Sequence, residues 1–533
     1  MAQFRYVDLF AGIGGFHAAL SALGGECVFV SEIDKEAAAV YTHNWGSEIV
    51  PLDPDDPDEP AVHGDITQYA PEKGTVTVPK HDILAAGFPC QPFSKSGAQM
   101  GVRDRTRGTL FFNILRILDE RRPKIIFLEN VRNLAGPRHE DTWDTIITSL
   151  REIGYRVSSE PTVFSPHHLP PHLGGSPQVR DRVFILGIYV GKEKAQQAHD
   201  VGPALVRGPV DGWDPLNWNL TDVPLTWNED KPLLLDDANT PEVKQYRLSM
   251  AEKRWVEAWD DFVKRMLKAR QQVPLPGFPL WADEWRTREA LEAWKKAEPK
   301  EWAAVPSWKQ NFLDKNADFY TEYQDDIIAW RDLWFPYWRD KNESYRWTSV
   351  RLDRNESIET GVLFPPSRRK LEWQAQKEKS LRACVLHFRP SGIRAKKPNY
   401  LPALVAITQT SVVGSRGRRL LPREAARLQG LPDWYEFKYK DEHGVVRDQR
   451  DAATYKQLGN GVSAGAIYYA LRTFLLDHVD DPDLPPALRD VAINAPETPD
   501  IRRKADRASV PDAPFPDGDV AIEHPAALSI LDA

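Results

Sequence analysis

The sequence contains little cysteine and no long apolar run, and each absence excludes a class of protein. Its 533 residues include only three cysteines, Cys27, Cys90 and Cys384. Their spacing fits neither a disulfide framework nor a zinc site, so we expect no metal. No run of about 18 apolar residues is present to span a membrane. The N-terminal "MAQFRYVDLF" lacks the basic and apolar regions of a signal peptide. These absences predict a soluble, cytoplasmic protein.

Positive charge is also scarce overall, because the formal net charge is -8. Taken alone, this value argues against a nucleic-acid partner. The acidic excess lies in 477–533, which carries 13 acidic and 5 basic residues, whereas 366–397 carries 10 basic and 2 acidic residues. A second basic stretch, 416–427, has five arginines and one glutamate. Clustered basic charge can bind phosphates even in an acidic chain, and the alternative is a solvated face.

Residues 1–190 contain apolar runs that predict the fold class. The runs are rich in Val, Ile, Leu and Phe without polar alternation, which is typical of buried parallel strands in an open α/β sheet. They read "RYVDLF", "ECVFVSEID", "DILAAGF", "KIIFLEN" and "RVFILGIYV". The acidic, proline-rich stretch 51–60 predicts a surface loop.

Residues 191–410 have a different composition and predict a second domain of helices and irregular loops. Fourteen of the 18 tryptophans lie in 191–365, and Trp255 and Trp259 are four apart in a helical pattern. We interpret these tryptophans as core residues rather than as a platform for stacking bases. Helical patterning returns at 455–476, the last packed helix that we predict. The tail from 477 to 533 is rich in Pro, Asp and Ala and is expected to be partly disordered.

The segment "VDLFAGIGGF" predicts a nucleotide-binding turn. An apolar strand ends at Phe10, and Gly12, Gly14 and Gly15 follow before a helix, although the sixth position of the full glycine motif is His17. The next strand ends in Glu32, twenty residues after Gly12, where a carboxylate can bind ribose hydroxyls.

A second carboxylate extends this prediction to adenosine. Asp65 is placed near the end of a third strand, where it can accept a hydrogen bond from an exocyclic amine. Either carboxylate alone would be an ordinary surface residue. With the glycine turn, the pair predicts an adenosine site.

The next two strands lead into Cys90 and Glu129. Because the carboxyl ends of parallel strands lie on one edge of a sheet, a thiol and a carboxylate are expected to share a crevice with the adenosine site. Each alone would be a structural residue. Together they predict a catalytic site.

Six motifs in family order resemble those of the cytosine-C5 DNA methyltransferases, of the bacterial type found in restriction-modification systems. They are "DLFAGIGGF", "GFPCQPFS", "ENV", "QVRDR", "RRLLPREAARLQGLP" and "QLGNGVS". The resemblance covers about 1–190 and 400–476. It implies a class I S-adenosylmethionine-dependent, Rossmann-like catalytic domain formed by 1–190 and 455–476. A target-recognition domain at 191–410 and a joining segment at 411–454 complete the expected organisation.

The resemblance also assigns residues to S-adenosylmethionine. The expected cofactor residues are Phe10, Ala11, Gly12, Gly14, Gly15, Glu32, Ile33, Asp65, Ile66, Pro89, Leu110 and Asn460. Two positions depart from the family pattern. Gly461 replaces a serine on the cofactor side, for which a backbone contact or water is expected to substitute. The Thr-Leu pair at the end of the recognition domain is Ala403-Leu404 here.

The resemblance further implies covalent catalysis on a base flipped out of duplex DNA. The Cys90 thiolate adds to C6 of cytosine, and Glu129 protonates or hydrogen-bonds N3. Arg180 and Arg182 hold O2 of the base and orient Glu129. Gln91 and Ser94 line the space after Cys90. The basic stretches are expected to contact phosphates, and the residues chosen for this role are Arg368, Arg369 and Lys370.

Double-stranded DNA is the expected partner of a monomer in the bacterial cytoplasm, associated with the nucleoid when bound. A companion restriction endonuclease is expected but is not required for catalysis. Three other interpretations were weighed. A tRNA methyltransferase would have a compact recognition region and a Cys-Phe-Thr signature. A silent DNA-binding protein would not need the intact catalytic set. A dinucleotide oxidoreductase would leave five motifs unexplained.

Overall fold

The computed structural model describes residues 3–89, 110–197, 208–220, 224–225, 230–334, 365–404 and 410–502. Within these ranges, no helix has the length and apolar character needed to cross a bilayer. The strands are β1 Phe4–Leu9, β2 Gly25–Ser31, β3 Ile83–Gly87, β4 Ile125–Val131, β5 Tyr155–Val157, β6 Thr162–Phe164, β7 Gln178–Val179, β8 Arg182–Tyr189, β9 Pro224–Leu225, β10 Lys231–Pro232, β11 Leu280–Trp281, β12 Lys370–Gln374, β13 Val385–Arg389, β14 Gly392–Lys396, β15 Leu401–Pro402, β16 Val412–Val413, β17 Arg418–Arg419, β18 Lys438–Lys440 and β19 Val446–Asp448. The helices are α1 Gly15–Ala22, α2 Lys35–Trp45, α3 Leu110–Arg121, α4 Glu140–Glu152, α5 Lys192–Gln197, α6 Val243–Tyr246, α7 Met250–Ala269, α8 Arg288–Ala297, α9 Pro299–Ala304, α10 Ser307–Glu322, α11 Gln324–Trp334, α12 Pro422–Leu428, α13 Asp451–Asn460, α14 Ala464–Asp477 and α15 Pro486–Asn494.

A seven-stranded sheet organises the N-terminal part of this α/β protein. Its order is β2-β1-β3-β4-β8-β5, with β6 paired to β8. Strands β1 to β4 are parallel, as their apolar runs predict. The prediction of a parallel strand for "RVFILGIYV" is wrong, because β8 is antiparallel to β4 and enters the sheet between β4 and β5. A strand covered on both faces has the same apolar composition in either direction, so its sequence does not reveal its direction.

Two apolar clusters cover the two faces of this sheet. Buried residues of α3 and α4 form one cluster. Residues of α1, α2, α14 and α15 form the other, which includes side chains from Phe4 to Ile501. Helix α14 packs against α1, as the resemblance implies. Helices from both ends of the described chain therefore cover this face of the sheet.

The chain remains packed beyond the last helix that the sequence predicts. Helix α15 buries Leu488 and Val491 against the preceding helix, and the Trp434 indole donates to the carbonyl of Ile501. The prediction that the helix ending at 476 is the last packed helix is therefore wrong, whereas partial disorder within 477–533 stays a prediction. Helix α15 has only nine residues and is flanked by prolines and aspartates. Its few apolar residues therefore do not form a helical pattern that the sequence analysis could recognise.

The third strand predicted before Asp65 is also absent from this part of the structure. His63 makes only an isolated bridge to Ser31 at the end of β2. Residues Ile66–Gln68 then form a 3-10 turn, and the Asp65 carboxylate caps it by accepting from the Thr67 N–H at 2.9 Å. The prediction is corrected to a capped turn that still lies beside β2.

Helices α6 to α11 accompany a second sheet with the order β11-β12-β14-β13-β16-β17. Its core includes the buried Trp259 and Trp330, in keeping with the interpretation of the tryptophans in 191–365 as core residues, whereas Trp308 is 59% exposed. The sequence did not predict this sheet. Its strands have five residues or fewer and alternate apolar with charged side chains, so they lack the continuous apolar runs of the first sheet.

Candidate active site and cofactor site

The turn between β1 and α1 has a strained backbone that its glycines allow. Phe10 has a φ of 56°, which is rare for a bulky residue and concentrates at functional sites. A Cβ on Gly14 would lie 2.6 Å from Nε1 of Trp45, and one on Gly15 would lie 2.7 Å from Cγ2 of Val462. A Cβ on Gly12 would meet nothing within 4 Å in the described structure. Gly14 and Gly15 are therefore required for packing, whereas Gly12 borders open space.

Glu32 is tied to this turn. Its carboxylate accepts from the Gly12 N–H at 2.8 Å and from the Asp34 N–H at 2.7 Å, and burial raises its pKa. Ile33 beside it is 70% exposed, which is unusual for a large apolar residue. Asp65 is held near Glu32 because the Glu32 N–H donates to the His63 carbonyl at 2.8 Å. The structure thus brings the two predicted acids to one edge.

The loop after α13 reaches the same turn from the C-terminal side. Asn460 ends α13 and is exposed, and Val462 packs against Gly15. The Tyr435 hydroxyl donates to the Ile13 carbonyl at 2.8 Å. Leu110, the first residue of α3, is half-buried. Ala11 is buried within the turn, and Ile66 is buried below it.

Glu129 lies near the carboxyl end of β4, opposite Gly87 of β3. It is buried, and Nε of Arg182 lies 2.7 Å from its Oε1. Burial raises the pKa of Glu129, while the charges of Arg182 and Arg180 oppose this rise. A Cβ on Gly87 would lie 3.4 Å from Oε2 of Glu129, so glycine leaves space beside the carboxyl group.

The antiparallel direction of β8 explains why Arg182 reaches Glu129. Arg182 is the first residue of β8 and pairs with Val131, the last residue of β4. In a parallel strand, the first residue would lie at the opposite edge of the sheet. The antiparallel direction of β8, which the sequence did not predict, therefore places the side chain of Arg182 beside Glu129.

Arg180 has different partners from Arg182, although the resemblance assigns both to the base. Its guanidinium is buried and donates to the carbonyls of Leu404 at 3.2 Å and Gly459 at 2.8 Å, and also to that of Gly461. Burial and the charge of Arg182 lower its pKa to about 9, so it stays a cation at neutral pH. Its predicted contact with the base stays a prediction. Arg180 holds the loop around Asn460.

Cys90, Gln91 and Ser94 lie outside the described residues. Pro89, the last described residue before them, is exposed just beyond the end of β3. The other two cysteines are buried, and burial raises the pKa of both thiols far above the usual range. Neither Cys27 nor Cys384 therefore has the accessible thiolate that a nucleophile needs.

The three cations chosen for phosphate contact have separate environments. Arg369 is buried, and its Nη1 lies 3.1 Å from Oδ1 of Asp283. Arg368 packs its guanidinium over Trp255 and donates to the carbonyl of Arg389 at 2.7 Å. Lys370 begins β12, and its Nζ lies 2.8 Å from Oε1 of Glu372, with 16% of the side chain exposed. The prediction is corrected for Arg369, whose guanidinium is committed to the interior.

The second basic stretch, 416–427, is likewise committed to internal contacts. Nη2 of Arg418 lies 2.7 Å from Oε1 of Glu424 and 2.9 Å from Oδ1 of Asp237, and both Arg418 and Glu424 have no exposed surface. Nη2 of Arg427 lies 2.6 Å from Oδ2 of Asp433. Arg416, Arg419 and Arg423 also have partners within the chain. All five arginines thus have partners within the chain, and the expected contact of this stretch with phosphates stays a prediction.

Sequence reasoning missed a buried acid beneath the glycine turn. Asp8 is buried in β1 and accepts from the backbone N–H of His17 and, at 3.5 Å, from the Tyr41 hydroxyl. Burial raises its pKa to about 8. The only available signal was an acid inside the apolar run "RYVDLF", where a charge has no ordinary place.

Comparisons with known proteins agree with this geometry. The sequence matches the family profile C-5 cytosine-specific DNA methylase over residues 4–474. It is 43% identical over 525 residues to the type II methyltransferase M.AluI of Cellulosimicrobium cellulans, covering 88% of this chain and 92% of that protein. It is 28% identical over 494 residues to M.BanI of Aneurinibacillus aneurinilyticus, covering 90% and 97%. A match to M.HhaI of Haemophilus parahaemolyticus has 42% identity over 182 residues, covering 34% of this chain and 48% of that protein.

Proposed function

Because the chain belongs to the C-5 cytosine-specific DNA methylase family and is a DNA (cytosine-5-)-methyltransferase, we propose that it methylates a cytosine flipped out of duplex DNA through a covalent bond from Cys90 to C6. The observation that carries this mechanism is the buried Glu129–Arg182 pair. It lies at the sheet edge where β3 ends, three residues before Cys90 in the sequence. The type II names of the relatives support a restriction-modification role beside a companion endonuclease. We also propose that the enzyme acts as a monomer on nucleoid DNA in the bacterial cytoplasm.

The residues around the glycine turn fit S-adenosylmethionine. Glu32 presents a fixed carboxylate to ribose hydroxyls, and exposed Ile33 offers an apolar surface to a purine ring. The strained Phe10 and the open space at Gly12 border the same edge. Asp65 and Asn460 complete the polar side of the site. When bound, S-adenosylmethionine supplies an electrophilic methyl group on a sulfonium.

Glu129 and Cys90 divide the activation of the base between them. The Cys90 thiolate forms a bond to C6, the C5–C6 electron pair shifts toward N3, and the Glu129 carboxyl group donates its proton there. C5 thereby becomes an enamine carbon and takes the methyl group. Loss of the C5 proton to a base then restores the C5=C6 double bond, and the C6–sulfur bond breaks to release Cys90 as a thiolate. Glu129 recovers the N3 proton.

Arg182 and Arg180 contribute in different ways. Arg182 holds the Glu129 carboxyl group in place and, by its charge, limits the rise of the pKa that burial causes. Glu129 must donate a proton and then recover it, and burial and the two cations act on its pKa in opposite directions. Arg180 acts as a positioning residue that joins the carbonyls of Gly459 and Gly461 to that of Leu404.

The covalent step is tested by trapping. The methylated sequence context is first read from bisulfite-converted DNA of cells expressing the enzyme. A duplex with 5-fluorocytosine at that target is then incubated with the enzyme and S-adenosylmethionine. Fluorine replaces the proton that must leave C5, so the Cys90–C6 bond cannot break. We expect an adduct that survives denaturation and maps to Cys90.

Matched cysteine variants control for the loss of a thiol elsewhere. Cys90→Ser should form no adduct and lose nearly all turnover, because a hydroxyl is far less ionised than a thiol. Cys27→Ala and Cys384→Ala should trap normally, since both thiols are buried and protonated. Glu129→Gln should bind DNA but add the thiol slowly. An adduct on another residue, or C5 methylation by Cys90→Ser, would refute the mechanism.

A further inference from the structure

The chain continues past α14 into residues that pack back onto that helix. We call residues 486–501 the C-terminal segment, which begins with α15 and follows residue 474, where the match to the family profile ends. Its side chains Leu488, Val491 and Ile501 are buried in the apolar cluster that also contains residues of α1 and α14. The segment is therefore part of the layer that covers the first sheet.

Hydrogen bonds fix the C-terminal segment at both of its ends. The Tyr468 hydroxyl of α14 donates to the carbonyl of Pro496 at 2.6 Å, and Nε of Arg472 donates to the carbonyl of Ala495 at 3.1 Å. Six residues after Ala495, the carbonyl of Ile501 accepts from the indole N–H of Trp434 at 3.2 Å. The segment thus joins α14 to Trp434.

Trp434 connects the C-terminal segment to the end of α2. Its ring meets the ring of Trp45 edge to face, with centroids 4.9 Å apart and planes at 82°, a favourable arrangement for aromatic pairs. Trp45 is the last residue of α2 and has no exposed surface. Beside this contact, the Glu436 N–H donates to Oδ1 of Asn44 at 2.8 Å, and Nδ2 of Asn44 donates to the Glu436 carbonyl at 2.7 Å. The position of Trp45 therefore depends on the residues around Trp434.

Trp45 and Tyr435 in turn support the glycine turn between β1 and α1. Nε1 of Trp45 lies where a Cβ on Gly14 would come within 2.6 Å, so the indole is in direct contact with the turn. The Tyr435 hydroxyl donates to the carbonyl of Ile13. Two successive residues of the turn, Ile13 and Gly14, are thus held by the layer that the C-terminal segment completes.

The glycine turn requires this support because its backbone is strained. Phe10 has a φ of 56°, a conformation that a bulky residue keeps only where the surrounding structure holds it. On the other side of the turn, Glu32 accepts from the Gly12 N–H. Ligand affinity falls in proportion to the fraction of molecules in which a site has its binding conformation. Contacts that hold the turn therefore act on affinity without touching a ligand.

We propose that the C-terminal segment positions the glycine turn for S-adenosylmethionine, acting from Ile501 through Trp434 to Trp45 and Gly14. This inference rests on the proposed cofactor site. Trp434 is a positioning residue, because it acts through Trp45. Loosening the segment lowers the affinity of the free enzyme for S-adenosylmethionine and leaves its affinity for duplex DNA unchanged.

Binding of S-adenosylmethionine to the full-length enzyme without DNA, measured by calorimetry, tests the proposal. Trp434→Ala removes both the indole N–H and the ring, and it should raise Kd about tenfold, as expected if about one tenth of the molecules keep a competent turn. Trp434→Phe keeps a ring beside Trp45 and should raise Kd only about twofold to threefold. The matched control is Trp143→Phe, because the Trp143 indole also donates to a carbonyl, that of Ser159, but in the cluster on the other face of the sheet. This control should bind S-adenosylmethionine as wild type does.

A second pair of variants acts within the segment and leaves Trp434 intact. Val491→Ala removes buried methyl groups from α15, and Val157→Ala removes the same groups from β5 in the other cluster. Both substitutions lower stability through a cavity. Only Val491→Ala should raise the Kd for S-adenosylmethionine, by about twofold or more. Equal Kd values in this pair would overturn the proposal, because the segment would then contribute stability alone.

Amide hydrogen exchange of the free enzyme reports on the turn directly. Exchange at residues 11–15 should be faster in Trp434→Ala and Val491→Ala than in wild type, and unchanged in Trp143→Phe and Val157→Ala. Unchanged exchange in Trp434→Ala, or the same increase in the controls, would overturn the proposal. So would weaker DNA binding that matched the loss of affinity for S-adenosylmethionine.

The wild-type enzyme separates this result from the proposed function. If wild type binds S-adenosylmethionine and Trp434→Ala binds it equally well, only the role of the C-terminal segment fails. If the variants weaken binding as expected but wild type forms no Cys90 adduct with 5-fluorocytosine, only the covalent mechanism fails. If wild type does not bind S-adenosylmethionine, the proposed cofactor site fails, and this inference fails with it.

Discussion

The stretch 416–427 and the polar side of strands β12, β13 and β14, which we call the basic face, are both rich in arginine or lysine, yet they use that charge differently. In 416–427, Arg418 is fully buried between Glu424 and Asp237, and Asp237 lies 181 residues away in sequence. On the basic face, Lys370, Arg389 and Arg394 share Glu372, and Lys396 beside them has no ion pair with a described carboxylate. Charge balanced in the interior joins segments of the fold, whereas unbalanced charge on a fixed sheet is available to a partner. A count of basic residues along the sequence cannot distinguish the two.

Arg418→Met tests the interior half of this comparison and has the largest expected effect. Removing one partner of a buried ion pair leaves the other charge uncompensated, which costs about 3–5 kcal/mol. Chemical unfolding should therefore show a large loss of stability. The control Arg416→Gln, whose side chain is 35% exposed at 3.8 Å from Asp237, should change stability by less than about 0.5 kcal/mol. Equal stability in the two variants would contradict the assignment.

Arg369→Gln sharpens the comparison within the stretch 366–397. Its guanidinium is buried beside Asp283, so we expect a loss of about 1–3 kcal/mol in unfolding free energy. The salt dependence of DNA binding should not change. Arg394→Gln, on the basic face, should show the opposite pattern, with little loss of stability and a lower salt slope. If Arg369→Gln lowered the slope as much as Arg394→Gln, the separation of the two sites would fail.

Asp8 extends the comparison of balanced and unbalanced charge to a buried carboxyl group that has no ion pair with a described cation. Its folded pKa of about 8 is above the ordinary value of 3.8, so the folded protein binds the proton more tightly than the unfolded chain. This contribution is complete below about pH 4 and is lost as the pH rises toward 8, at up to about 1.4 kcal/mol per pH unit. Unfolding midpoints measured from pH 5 to 8 should fall less steeply for Asp8→Asn than for wild type. Parallel pH profiles would show that Asp8 does not titrate in this range.

The sequence predicted those parts of the structure that depend on local pattern. The apolar runs predicted β1 to β4, and the glycine turn and Glu32 meet as their spacing indicates. The direction of β8 was not predictable because both its faces are buried. Arg180 differs from Arg182 in its contacts with residues more than 200 positions away in sequence, such as Leu404. No local pattern encodes such a contact.

One missed signal was present in the sequence. "VLHFR" and "GIRAK" alternate apolar and polar residues, which predicts half-buried strands with the basic residues on one side. The sequence prediction counted charge over the whole of 366–397 and did not use this alternation. It also selected Arg369, which lies next to Lys370 in sequence but points into the core.

The packing of α14 against α1 has a consequence for synthesis on the ribosome. The two helices lie at opposite ends of the described chain and belong to one apolar cluster. Roughly 440 residues separate them, so at ~5–20 residues per second the first sheet waits about 20–90 s for its covering helix. During that interval the nascent chain exposes an apolar surface that chaperones recognise. The N-terminal segment can therefore begin folding early, but it can finish only after nearly the whole chain has been translated.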